Sequence, residues 1–159
     1  MVDSRNKGAR AEYDVRDSLR DRTSLKWERV PGSGGLNSVH GLKGDVYVPG
    51  MNIRYCVEVK HYKDDTINHL LIKNPDNTFA KFWAQTVRES EQVDKEPLLV
   101  FKKDRGHWMV ATREAEAILP ELIYINEFRE NKHLDPIIGE VRIYSFNDWL
   151  NTKDQGDFL

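Results

Sequence analysis

The stretch "GDVYVPGMNIRYCVEVK", residues 44–60, sets two short apolar runs on either side of the turn residues Pro49, Gly50 and Asn52. β-Branched and aromatic residues bounded in this way predict two paired strands, 45–48 and 54–60. Alternate side chains of a strand share a face. Tyr55, Val57 and Val59 therefore form one set, and Arg54, Cys56, Glu58 and Lys60 the other. The first set reads as core. The second puts a carboxylate and an ammonium about 7 Å apart on one face of a central strand. Lone charges there are costly unless they are paired or bind a metal. If the strands pair antiparallel through the turn, Asp45, which shares a face with Tyr47, approaches the Lys60 end of its neighbour. A salt-bridged strand face would also account for Glu58 and Lys60 taken alone.

Upstream lies "RVPGSGGLNSVHGLKG", residues 29–44, with five glycines in sixteen residues. Glycine costs conformational entropy, so such a loop marks a sharp bend or a close backbone approach. It can press backbone amides and the small Ser33 hydroxyl against a phosphate, although an ordinary surface loop remains the alternative. Nucleotide-cradling motifs fail here. "GSGGLN" lacks the last glycine of GxGxxG, and no GK[ST] follows, so no nucleotide cofactor is expected.

A first helix is predicted over 7–22 with Asn6 as its cap, preceding a strand at 25–30. Gly8, Glu12, Val15 and Leu19 make one stripe at 4-3-4 spacing, so Glu12 faces the sheet together with Val15 and Leu19. An acid inside an apolar stripe needs a reason, and a divalent cation is one. Such cations take carboxylate oxygens, water and substrate phosphate. They lower the pKa of bound water and neutralise charge on a phosphoryl group. Glu12, Asp45, Glu58 and Lys60 together are the set that metal-dependent phosphodiester hydrolysis requires.

The rest of the chain alternates in the same way. A second helix is predicted over 79–93 with Thr78 as its cap, then strands at 97–101, 107–111 and 141–145 and a helical turn around Trp149. Hairpin and crossover connections together give an α/β fold with a mixed sheet. On the second helix, Lys81, Gln85, Arg88 and Gln92 read as a solvated polar stripe, with Gln85 as the one candidate for the site. "TINHLLIK", 66–73, reads as a hairpin arm or short helix. Trp27, Trp83, Trp108 and Trp149 read as core or interface.

With 159 residues the chain suits one domain. Its single cysteine excludes an internal disulfide and a multi-cysteine zinc site, and fits a reducing cytosol. No apolar run follows "MVDSRNKGAR", and "AILPELIYI" is too short for a bilayer. A cytoplasmic protein with no membrane partner is therefore expected, whether of host or phage origin. The net charge of −2 conceals a gradient: residues 1–60 carry eleven Lys/Arg against eight Asp/Glu, and residues 111–159 carry five against ten. The expectation is a core over about 7–111 with a basic working face, and an acidic extension over about 112–159.

Taken together, "KGARAE" at 7–12, "RVPGSGG" at 29–35, "GDVYV" and "VEVK" resemble, in order and rough spacing, the PD-(D/E)XK nuclease superfamily, and within it Holliday-junction resolvases of archaeal and phage type. The likeness covers residues 7–60, with a looser match at "EPLLVFKKDRGHWMV". Gly44 stands where the superfamily usually has proline. The resemblance implies a restriction-endonuclease-like core, a central mixed sheet flanked by helices, and a homodimer acting on branched DNA. It implies Mg²⁺, with Mn²⁺ as a substitute, held by Glu12, Asp45, Glu58 and Val59, and Lys60 positioning the attacking water. Ser33 would lie near the scissile phosphate. The DNA contacts would be Arg5, Lys7, Arg10, Arg29, Ser33, Gly34, Lys43, His61, Lys63 and Gln85, making binding steeply salt-dependent. Two other readings compete with the resolvase: a nuclease of the same superfamily serving restriction or repair, and a DNA-binding module that has lost catalysis.

Overall fold

The computed structural model describes residues 4–31, 42–63, 78–129 and 137–159, with residues 4 and 5 described by backbone alone. Helix α1 runs Ser4–Thr23, longer at its start than the periodicity predicts, so Asn6 lies inside it and not at its cap. After it come β1 (Glu28–Arg29), β2 (Val46–Tyr47) and β3 (Tyr55–Tyr62). Helix α2 (Thr78–Gln92) crosses over to β4 (Glu96–Lys103), followed by β5 (Met109–Thr112), β6 (Ile123–Ile125) and β7 (Val141–Ser145). Helix α3 (Phe146–Asn151) and a 3₁₀ turn (Gln155–Phe158) close the chain. The segment "TINHLLIK" lies outside the described residues.

The strands form one mixed sheet in the order β1-β2-β3-β4-β5-β7-β6. β3 and β4 are parallel, as a helical crossover requires. The other neighbours are antiparallel, including the predicted hairpin of β2 and β3, where Val46 faces Val57. β1 and β2 are shorter than predicted, but backbone bonds extend their ladder on either side of Asp45. Val30 N donates to Asp45 O at 2.9 Å, and Asp45 N donates to Val57 O at 2.7 Å.

Helices cover both faces, which is why β3 and β4 are apolar at consecutive positions. On one face, Val15 and Leu19 of α1 pack with Trp27, Val57, Leu98, Val100, Tyr144, Trp149 and Phe158. On the other, Phe79, Trp83 and Val87 of α2 pack with Leu99, Phe101, Ala111 and Ile143. Trp27, Trp83 and Trp149 are fully buried, and Trp108 packs against the first core partly buried. The acidic third, expected as an extension, enters this sheet and core: β7 lies between β5 and β6, and Trp149 and Phe158 pack edge-on against Tyr55. No described helix is long and apolar enough to cross a membrane.

The face of β3 that carries Cys56 and Glu58 is thus no open surface. It lies beneath α2, and Glu58 is only 4% exposed. A carboxyl group sits where the fold would otherwise place an aliphatic side chain.

Candidate active site

Asp45 enters the site from the residue just before β2, and its placement depends on Gly44. Gly44 has φ +87°, and a Cβ there would lie 2.7 Å from Val57 O and 3.2 Å from Val57 N. Proline, fixed near φ −65°, cannot adopt this conformation, which is why glycine stands in the usual proline position. The close approach lets the Val59 amide donate to Asp45 Oδ2 at 2.8 Å and hold the carboxylate against β3.

Around Asp45 the acids form a chain. Its carboxyl group is hydrogen-bonded to Glu12 on one side and to Glu58 on the other. Glu12 comes from α1, on the opposite face of the sheet to Glu58. It approaches Asp45 because α1 packs against β3 and β1, on either side of β2. Glu58 continues the chain to Glu89 of α2, which also accepts from Gln85 Nε2 at 3.1 Å.

The electrostatics follow the crowding. Burial, the Asp45 charge and the bond to Glu89 push Glu58 up to about 11, so its carboxyl group keeps its proton at neutral pH. Glu12 is raised by burial and by Asp45, against the opposing pull of Arg29. Burial alone would raise Glu89 too. The hydrogen bonds from Glu58 and Gln85, with Lys43 and Lys60 nearby, instead hold it below the ordinary carboxylate range. A protonated Glu58 donating to an ionised Glu89 satisfies both shifts. Cys56, next along the same face, is pushed up to about 12 by burial and by Glu58, which makes it an inert thiol.

These groups line one cleft of about 770 Å³, together with Tyr13, Arg16, Arg29, Lys43 and Lys60. Lys60 Nζ lies 5.1 Å from the centre of the Phe82 ring of α2. Arg29 Nε donates to Glu12 Oε2 at 2.6 Å, so a predicted metal ligand and a predicted DNA contact occupy each other. Among the described residues no three acidic, histidine or cysteine side chains are grouped, as they are placed, so that they could hold a metal ion. The donor set nonetheless fits a hard divalent cation. Its carboxylate oxygens adjoin one another, and a cation among them would relieve the charge crowding that now keeps Glu58 protonated.

The other expected contacts divide in two. Lys43 and Gln85 line the cleft, Gln85 being the one residue of its stripe put forward for the site. Lys7 is tied to Asp104, beyond the end of the sheet. His61 points to the α1 face, 2.8 Å from Asp104 Oδ1 and beside Trp108. Burial, Lys7 and Lys102 lower its pKa, and it does not line the cleft. Arg10 and Lys63 are exposed and do not line the cleft. Ser33 and Gly34 lie outside the described residues, as does the side chain of Arg5. Glu89 escaped the sequence reading. Its signal is the 3-4 spacing of Phe82, Gln85 and Glu89, a line bordering the buried residues Phe79, Trp83, Thr86 and Ser90.

The sequence profile of the family described as "Phage putative PDDEXK endonuclease" matches residues 3–158. Protein D14 of Escherichia phage T5 is 44% identical over 162 residues, an alignment covering 99% of this chain and 98% of that protein. No solved structure matches the chain. A profile match over nearly the whole chain places this protein in the phage PDDEXK endonuclease family.

Proposed function

We propose that this chain is a metal-dependent endodeoxyribonuclease that cuts branched DNA, a Holliday-junction resolvase acting as a homodimer. The observation that carries the reading is the carboxyl chain Glu12–Asp45–Glu58–Glu89 beside Lys60 in one cleft, in a member of a nuclease family. Here four acids adjoin, and one is buried and kept protonated, an arrangement that costs stability and is retained where it serves a site.

Asp45 and Glu58, with Glu12 once Arg29 releases it, would hold Mg²⁺ or Mn²⁺, and the Val59 carbonyl would complete the protein's share. When bound, the cation lowers the pKa of a water molecule and offsets charge building on the phosphoryl group. The chain's own residues do the rest. The Lys60 ammonium would donate to the attacking water and aim its oxygen at phosphorus, and the proton that this water loses passes to solvent. As the new P–O bond forms, the bond to the leaving sugar oxygen breaks, and solvent supplies that oxygen with a proton. Lys43 and Arg29 would hold the phosphate of the cut strand, and Ser33 and Gly34, which lie outside the described residues, would contact it. Arg5, Lys7, Arg10, His61 and Lys63 would serve the more distant backbone. A homodimer would present two such sites to the two strands cut at a junction.

The test is cleavage of a labelled four-way junction beside a linear duplex of the same sequence, in Mg²⁺ and in EDTA, with Lys60→Ala in parallel. Paired nicks in the junction alone, dependent on metal and lost in the variant, are the expected result. Equal cutting of both DNAs would replace the resolvase with a general nuclease of restriction or repair. Tight binding without cutting would leave a non-catalytic DNA-binding module.

A further inference from the structure

The cleft does not stop at the acids. One helical turn further along α1 it continues past Tyr13 and Arg16, facing the segment Glu28–Pro31. Tyr13 is 42% exposed, unusual for a ring at the wall of a concave site. The guanidinium carbon of Arg16 lies 4.6 Å from the centre of that ring, and that of Arg29 lies 4.8 Å from it. Arg29 Nη1 also donates to the Tyr13 hydroxyl at 3.3 Å. The tyrosine thus fixes two planar cations in the cleft by cation–π contact.

Their present partners differ in strength. Arg29 is taken by Glu12, inside the site. Arg16 donates through Nε at 3.0 Å and Nη2 at 2.8 Å to Asp17, its neighbour in sequence, whose side chain is 58% exposed. An exposed pair of this kind contributes little and yields readily to a stronger anion. Among the described residues nothing accepts from Arg16 Nη1. The Arg16 side chain is itself only 19% exposed, so its direction is set by packing before any ligand arrives. A guanidinium in that state is suited to bidentate binding of phosphate, with little ordering left to be done.

We infer that Arg16, steered by Tyr13, binds the backbone phosphate next to the one that is cut, on the α1 side of the cleft. This rests on the nuclease reading above and adds the path of the strand to it. Glu12 and Arg16 stand about 6 Å apart along the helix axis, the scale of one nucleotide step. A phosphate held on a rigid helix carries no sequence information, but it fixes register. Arg16 therefore determines which bond lies over Asp45 and Glu58. Tyr13 is a positioning residue that acts through Arg16 and Arg29.

Single methylphosphonates provide the test, each removing the charge of one phosphate at successive positions on either side of the cut. Cleavage of these substrates is compared for the wild type, Arg16→Ala and Arg16→Lys. Neutralising one particular neighbouring phosphate should slow the wild type about tenfold and cost Arg16→Ala nothing further, a non-additivity expected only of groups in contact. Neutralising any other phosphate should slow both proteins alike. The slope of log affinity against log salt should fall by about 0.9 in Arg16→Ala and remain at the wild-type value in Arg16→Lys. Additive losses at every position, with an unchanged salt slope, would overturn the inference while leaving the nuclease intact. A wild type that neither binds nor cuts DNA would overturn the nuclease reading, and the subsite with it.

Discussion

At Gly44 a missing side chain decides where the first carboxylate sits. The residue combines φ +87° with only 2.7 Å of room to Val57 O, so any Cβ must displace β2 from β3. Gly44→Ala should cost about 1–3 kcal/mol in denaturant unfolding and should lower cleavage further, because Asp45 loses the Val59 amide. Wild-type stability in that variant would show that the approach is not needed. Glu58 makes the converse case, a side chain present against stability. Its carboxyl group, raised to about 11, keeps a proton that the unfolded chain has already given up above its ordinary carboxylate range. The stability that proton brings is full below the unfolded value and is lost as pH rises towards the folded one, by up to about 1.4 kcal/mol per pH unit. In EDTA, Glu58→Gln should therefore melt progressively higher than the wild type from pH 6 to pH 9, while losing cleavage. A difference in melting temperature independent of pH would contradict the buried, proton-holding acid.

Among the elements, α1 and β1 meet at the Arg29–Glu12 pair, and the sequence foretold both residues but not their contact. The stripe through Glu12, Val15 and Leu19 places the acid on the sheet side of α1 because helical period alone decides it. Whether its first partner is a metal or an arginine depends on how β1 comes to lie beside α1, which no local pattern encodes. The consequence is competition. Arg29→Ala should bind Mn²⁺ about fivefold more tightly without DNA, since the guanidinium no longer holds Glu12, and should bind DNA more weakly. Calorimetry showing unchanged Mn²⁺ affinity would remove Glu12 from the metal site. α2 carries the other omission. Its polar stripe reads as solvent-facing from Lys81 and Arg88, both of which are exposed. Yet Glu89, on the border of the buried line beside the one candidate named there, Gln85, turns with it into the cleft. A helix packed over a buried carboxyl group changes the meaning of its own edge, and sequence periodicity cannot see that carboxyl group.

For the whole molecule, the strand pair of residues 44–60 was legible because alternation, turn residues and β-branching all agree there. The mixed sheet followed from it. The acidic third was not, because charge describes the surface of a segment and not what lies beneath. Val141, Ile143, Tyr144, Trp149 and Phe158 are fully buried at apolar positions between those charges. The same separation explains the site. Each acid sits on a different element, and only the assembled sheet with helices on both faces brings Glu12, Asp45, Glu58 and Glu89 into one chain of hydrogen bonds. The claim that this chain is a metal centre is tested most directly by titrating Mn²⁺ into the wild type and into Asp45→Asn, without DNA, in a calorimeter. Asp45 is the one acid bonded to both Glu12 and Glu58, so the wild type should bind and the variant should not. Equal binding by both proteins, or none by the wild type, would contradict the account.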